Sequence, residues 1–383
     1  MLPHHESSLA YALIGSGAFG LFCLQQYTAS NDIRIIALTD TNLHAARDAA
    51  TRFNLDCAHT IDDLLARDDI DIVHIATPPF THHDIVLKAL AAGKHVLCEK
   101  PLATTLPDAQ EMTTAAHHAQ RLLAVNLIMR YNPLCATVKS IIDRRLLGQP
   151  LHAFFVNEAK DEPLLPDHWF WDPAKSGGIF IEHGVHFFDL FAYWLGPGRI
   201  LSAQQSSRPG ANLVEQVTCT ARYADGVLVN FYHGFHQPSR LDRQELRIVF
   251  ERGELRLHEW VPIRMQIDCI TDQPTLDALI SLIPKARVST LDEYADTARN
   301  VNSRHKTYQV DRRVHIQHDL GMTKLELYGG VLRALMTDLA AAIRDPNHPR
   351  RTTEQNALDA LKLACDADSL ARQTATLRST PND

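Results

Sequence analysis

The sequence predicts an α/β protein in which a parallel sheet is followed by a mostly antiparallel one. Three observations carry this expectation. From Tyr11 to about Ile128, short apolar runs alternate with helix-length segments, the pattern of βαβ units. After Pro133 the strand-like runs come as hairpins, with Asp225-Gly226 between two of them. Between the first strand and the first helix stands Gly15-Ser16-Gly17-Ala18-Phe19-Gly20, which joins a strand to a helix by a tight turn. Residues 1–130 are expected to form one domain and residues 131–383 a second.

In the first domain, strands are expected at 11–14, 33–38, 70–76, 95–98 and 122–127, with a short segment near Cys57. Helices are expected at 18–29, 42–52, 61–66, 83–92 and 107–120, the fourth stopped by Gly93. In the second, strands are expected at 152–158, 217–223, 227–232, 245–250, 254–257, 263–270 and 306–316. A helix over 178–195 interrupts them, residues 274–302 give no clear pattern, and two helices at 324–344 and 353–373 close the chain.

Composition narrows the function. At 45% hydrophobic and 22% charged, the 383 residues suit a globular protein with a large core. A net charge of -7 offers no basic field, so neither nucleic acid nor an anionic membrane is an expected partner. No apolar run reaches the length of a bilayer span. The stretch Met1–Ala10 has no cationic flank and no long apolar region, and the seven cysteines include no C-x-x-C pair. A cytoplasmic protein with reduced thiols is therefore expected.

The glycine turn is a weak motif alone, but its surroundings are those a dinucleotide site requires. Gly15 permits the tight turn, Gly17 leaves room for a pyrophosphate, and Gly20 lets the helix lie close on the sheet. The amides from Ala18 and Phe19 onward open a helix whose N-terminus attracts phosphate. Asp40, at the end of the second strand, is placed to accept hydrogen bonds from ribose hydroxyls and to repel a 2′-phosphate. Its neighbours Thr39, Thr41 and Asn42 include no cation, so NAD is expected in preference to NADP.

Ligands of open α/β sheets bind beyond the carboxyl ends of the strands. Two loops mark that edge, Thr77-Pro78-Pro79 and Glu99-Lys100-Pro101. Lys100 can donate to a substrate hydroxyl or take part in proton transfer, although in isolation it reads better as a surface lysine paired with Glu99. Further on, Glu182 and His186 stand four apart and share a helix face, with Asp189 one step beyond. His186 suits a general base and Glu182 a group that orients it. A metal site from Glu182, His183 and His186 is not expected, because His183 points about 100° away around an α-helix. Trp169 and Trp171, in Asp167-His168-Trp169-Phe170-Trp171-Asp172-Pro173, serve equally well as sugar-facing rings or as core anchors.

Together these stretches resemble the glucose–fructose oxidoreductase/inositol dehydrogenase (Gfo/Idh/MocA) family of nicotinamide-dependent sugar and cyclitol oxidoreductases. The stretch from Ala91 to Pro101 looks like the family's signature, Thr77-Pro78-Pro79 with His82 like its loop beside the nicotinamide, and the glycine-rich segment reaching His186 like its second signature. The resemblance implies an N-terminal Rossmann domain and a C-terminal α/β domain whose open, mostly antiparallel sheet makes a homodimer or homotetramer contact. It implies catalytic roles for Lys100, Glu182 and His186. It places Thr77, Pro78 and His82 near the cofactor, with Glu99 and Lys100 in the signature beside them, and Arg130 and Tyr131 at the substrate cleft, where Trp169 is a candidate on its acid-flanked aromatic setting alone. Where this chain has Glu182 the family usually carries aspartate, and a carboxylate displaced by roughly an ångström can change a rate by about 10²-fold. The implied activity is hydride transfer between NAD and a secondary alcohol of a sugar, sugar derivative or cyclitol. Two alternatives stay open: a glycoside hydrolase that uses tightly held NAD in a transient oxidation, and a non-catalytic sugar or nucleotide sensor.

Overall fold

The computed structural model describes residues 8–160, 165, 167–208, 210, 213–303 and 305–379, with side chains to residue 374. Most of the stretch Met1–Ala10 therefore lies outside the described residues. No described helix is long and apolar enough to cross a membrane.

The chain begins with β1 (Leu9–Ile14), α1 (Ala18–Tyr27), β2 (Ile33–Thr39), α2 (Leu43–Phe53), β3 (Asp56–Cys57), α3 (Ile61–Leu65), β4 (Ile72–Ile75), α4 (His82–Ala91), β5 (His95–Cys98), α5 (Leu106–Ala119) and β6 (Leu123–Val125). The six strands pair in parallel in the order β3-β2-β1-β4-β5-β6. The order reverses between β1 and β4, the switch point at which such sheets bind ligands. Strands β4 and β6 are buried along their whole length, as expected of a sheet covered on both faces. The covering helices show why they lie where they do. In α1 the buried residues are Gly20, Cys23, Leu24 and Tyr27, one stripe at helical spacing. Helix α3 starts with a full capping box between Thr60 and Asp63.

Next come α6 (Pro133–Asp143), β7 (Pro150–Lys160), α7 (Pro173–Ser176), a five-residue π-helix (Phe180–Gly184) and α8 (Val185–Leu195). They are followed by β8 (Arg199–Ser207), β9 (Val214–Arg222), β10 (Leu228–Gln237), β11 (Arg243–Phe250), β12 (Gly253–His258) and β13 (Arg264–Thr271). The rest is α9 (Gln273–Leu282), β14 (Arg287–Glu293), β15 (Asn300–Asn302), β16 (Thr307–Gln309), β17 (Arg312–Asp319), α10 (Lys324–Arg344) and α11 (Glu354–Ser379). Nine strands form the second sheet, in the order β14-β17-β13-β12-β11-β7-β10-β9-β8. Only the β7–β10 pair is parallel. Strands β11 and β13 alternate buried and half-exposed residues, so one face of this sheet is core and the other is open.

The α/β fold agrees with the expectation, and its departures have physical reasons. The run expected at 306–316 is two strands: β16 pairs with β15, and β17 joins the large sheet. Residues 274–302 resolve into α9, β14 and β15. The helix expected over 178–195 opens with the π-helix and becomes α-helical only at Val185.

Two compact units account for the chain. One comprises Met1–Tyr131, Pro166–Asp189 and Tyr328–Cys365; the other comprises Asn132–Leu165, Leu190–Leu327 and Asp366–Asp383. The first unit thus takes in the π-helix and parts of the closing helices, which a single boundary near residue 130 assigns to the second.

Candidate functional site

All the residues expected to carry chemistry fall in the first unit. The glycine turn follows β1 directly. Gly15 has φ +100°, and a Cβ there would lie 2.5 Å from the Ala76 carbonyl oxygen. A Cβ at Gly20 would lie 2.1 Å from the Gly15 carbonyl oxygen, so Gly20 permits the close approach of α1 to the turn. Gly17 differs: a Cβ there would meet nothing within 4 Å. It is the N-cap of α1 and makes no side-chain cap bond, and the first turn carries no acidic residue. This is a cradle that a side chain would fill, with helix amides facing it, and it fits a pyrophosphate. Ser16 donates to Asp40 from both its backbone N–H, at 2.6 Å, and its hydroxyl, at 3.0 Å. Asp40 also accepts the Asn42 N–H at 2.8 Å. The acid therefore locks the turn to the end of β2, at the edge where a ribose would lie.

Lys100 follows β5. Its ammonium donates to the Glu182 carboxylate at 2.5 Å and to the Glu182 carbonyl oxygen at 2.9 Å. Both side chains are largely buried, 20% and 11% exposed, so water screens the pair only in part. Two residues 82 apart in sequence are thus joined, and the surface pairing of Lys100 with Glu99 is not formed. The π-turn places Glu182 for this contact. A π-helix inserted at a helix start is uncommon and recurs at functional sites. His186 is buried at 4% exposure in the first turn of α8. Burial, assisted by the Lys100 charge, holds its imidazole well below the usual range, so the ring is neutral at physiological pH.

Four expected ligand contacts have other partners in the structure. The Glu99 carboxylate turns inward and accepts from His74 Nε2 at 3.0 Å and Asn126 Nδ2 at 2.8 Å. His82 is fully buried between the carbonyl oxygens of Pro101, at 2.8 Å, and Thr77, at 2.9 Å. Arg130 grips Asp189 with two nitrogens, at 2.7 and 2.9 Å. The Tyr131 hydroxyl donates to Asp338 at 2.7 Å and lies 3.0 Å from the Thr352 hydroxyl. In each case a polar group near a strand end is satisfied within the protein, because a buried group without a partner is costly. Trp169 is half-buried in a 3₁₀ turn, Trp169–Trp171, whose middle residue, Phe170, is the buried one.

One cluster of potential metal ligands is present among the described residues, and it is not the one weighed from the sequence. Cys23, His74 and Glu99 bring their ligating atoms within 4.8 Å of one another. His74 and Asn126 were missed in the sequence. A lone histidine inside the buried run Ile72-Val73-His74-Ile75 was the available signal for the first; nothing local marked the second.

Comparison with known proteins matches this architecture. The model described as "Oxidoreductase family, NAD-binding Rossmann fold" matches residues 9–127, and that described as "GFO/IDH/MocA C-terminal domain" matches residues 135–256. A 1,5-anhydro-D-fructose reductase of Ensifer adhaerens is 31% identical over 179 residues, 46% of this chain and 54% of the relative. An inositol 2-dehydrogenase of Gluconacetobacter diazotrophicus is 36% identical over 203 residues, 51% of this chain and 57% of the relative. The chain thus spans about half the length of these curated relatives. The structure of a levoglucosan dehydrogenase with NADH and levoglucosan superposes with a TM-score of 0.75 at 19% identity, covering 96% of this chain and 98% of that one. The chain belongs to the Gfo/Idh/MocA family.

Proposed function

We propose that this protein is an NAD-dependent oxidoreductase that acts on a secondary alcohol of a sugar, sugar derivative or cyclitol. The observation that carries the reading is the Lys100–Glu182 pair, at 2.5 Å, on the loop beyond β5, with neutral His186 close enough to feel the Lys100 charge. The relatives act on an anhydro-sugar and on inositol, which favours a polyhydroxylated ring as substrate. NAD, when bound, supplies the acceptor or donor of the hydride.

In the oxidation direction the substrate carbinol loses a hydride from carbon and a proton from oxygen. An ammonium has three donors, and Lys100 uses two of its own on Glu182, so the third is available to polarise the substrate oxygen. His186, held neutral by its surroundings, accepts the hydroxyl proton. Glu182 keeps the Lys100 ammonium aimed. On this reading its extra methylene suits the reach to Lys100. Gly15, Gly17, Ala18, Phe19 and Gly20 would hold the pyrophosphate, Thr77 and Pro78 would lie on the nicotinamide side, and Asp40 would favour a free 2′-hydroxyl over a phosphate. The open face of the nine-stranded sheet is the surface assigned to a homo-oligomer.

The test is an absorbance screen for NADH formation across cyclitols, aldoses, anhydro-sugars and sugar acids, repeated with NADP. Turnover with NAD is expected, and Lys100→Met should abolish it while NADH binding persists. Undiminished turnover in Lys100→Met removes the assigned role. Glycoside hydrolysis without net NADH would select the hydrolase reading instead.

A further inference from the structure

We propose that two buried histidines, His74 and His82, are positioning residues that hold Lys100 by gripping the chain on either side of it. The residue before Lys100 is Glu99, whose carboxylate is buried and bound by His74 Nε2 at 3.0 Å and Asn126 Nδ2 at 2.8 Å. The Glu99 N–H also donates to the Ile75 carbonyl at 3.0 Å. His74 is itself held by the Tyr11 hydroxyl, 2.7 Å from Nδ1. One proton assignment satisfies this whole chain: Tyr11 O–H donates to Nδ1, and Nε2–H and the Asn126 amide donate to Glu99. It ties together β1, β4 and the residues after β5 and β6.

The residue after Lys100 is Pro101, whose carbonyl oxygen faces His82 Nδ1 at 2.8 Å. The same ring faces the Thr77 carbonyl with Nε2 at 2.9 Å. With its proton on Nδ1, the tautomer taken here, His82 donates to Pro101. Lys100 sits between two fixed neighbours, and its long side chain alone is left to reach Glu182. A flexible lysine stem loses considerable rotamer freedom when it is aimed, so a fixed backbone on both sides lowers the cost of the contact.

The proposal rests on Lys100 being the working residue of the site proposed above, so its test reads lysine position without substrate. The intact protein is pulse-labelled by reductive methylation, and each lysine is followed by peptide mass spectrometry. In His74→Leu and His82→Leu, Lys100 should label about tenfold faster than in the parent, the change expected when a loop loses a buried hydrogen bond of ordinary strength. Lys139 and Lys175 should keep their rates. His74→Gln and His82→Gln, which retain one donor each, should bring Lys100 back towards the parental rate, a rescue that general loosening of the fold does not give. If the leucine variants fail to fold, His74→Met and His82→Met, which also lack a donor but fill more of the ring's volume, take their place. Parental Lys100 labelling in folded leucine variants overturns the proposal. So does stoichiometric metal in the purified protein that is lost in Cys23→Ser, since His74 and Glu99 would then be metal ligands. If Lys100→Met still turns over while the labelling shifts as described, the proposed function fails and the positioning stands.

Discussion

Gly17 and Gly20 differ in what a methyl group at each would meet. At Gly20 it would strike the Gly15 backbone, and at Gly17 it would enter open space. Gly20→Ala is therefore expected to lower stability, whereas Gly17→Ala should melt like the parent yet bind NADH at least about tenfold more weakly, a loss of about 1.4 kcal/mol. Calorimetric binding beside thermal melts separates the two; equal loss of binding without loss of stability in both variants would contradict the assignment. His95 offers a second test at this scale. Its Nδ1 accepts the Leu122 N–H at 3.0 Å, which requires that nitrogen to be unprotonated. Burial first, and then the charge of Arg121, push its pKa down to about 4. An unfolded histidine titrates near 6.5, so between about pH 6.5 and about pH 4 the unfolded chain binds the extra proton. The histidine's contribution is complete above that window and is lost as pH falls through it. His95→Asn keeps an acceptor for Leu122 and cannot titrate. The gap between its urea midpoints at pH 7 and pH 5 should be smaller than the parent's; an unchanged gap would show that His95 does not set the slope.

At the level of elements, legibility followed burial. Strand β5 was readable to the residue, because the four-residue run His95-Val96-Leu97-Cys98 is apolar and ends in the Glu99-Lys100-Pro101 turn. Strands β8 and β14 were not readable. They are the two edges of the nine-stranded sheet, β14 is exposed at every position, and β8 buries only Ala203. With no face turned to a core, neither carries an alternating pattern. The Glu182–His186 spacing was legible, but the partner of Glu182 was not, since Lys100 is 82 residues away and no local pattern encodes that contact. The π-turn was also hidden, because its residues are as apolar as those of an ordinary helix start. Gly177 precedes it at φ +82°, where a Cβ would lie 2.6 Å from Ile181 Cγ2. Gly177→Ala therefore strains the backbone by about 1–2 kcal/mol and pushes on the residue next to Glu182. Turnover on whichever polyol the screen identifies should fall by up to about 10²-fold. The loss should exceed what the shift in urea midpoint accounts for; parental turnover would show that Ile181 yields without moving Glu182.

At the scale of the molecule, the first compact unit is assembled from three segments of the chain. The returning segments are bound to the first by specific groups. Arg344 donates to the Asp32 carbonyl at 2.9 Å, Thr337 to the Asp32 carboxylate at 2.7 Å, and Arg333 to Gln26 at 2.7 Å. Phe19 and Phe22, at the start of α1, pack against Tyr328 with ring centres 5.9 and 5.5 Å apart. Tyr131 is tied to Asp338 and Thr352, and Arg130 to Asp189. Separation at residue 131 removes every one of these partners at once and leaves the Arg130 guanidinium without the carboxylate that it grips. The burial and hydrogen bonds lost together are a large part of the stability of an ordinary domain. A fragment of residues 1–131 is therefore expected to melt without a cooperative transition and to bind a hydrophobic dye, even though it contains the whole six-stranded sheet and the glycine turn. Co-expression with residues 132–383 should restore a sharp transition, since the missing segments can then return in trans. A lone fragment that melts cooperatively near the temperature of the full chain would mean that the parallel sheet and its own helices suffice, and that the returning segments only decorate a finished domain.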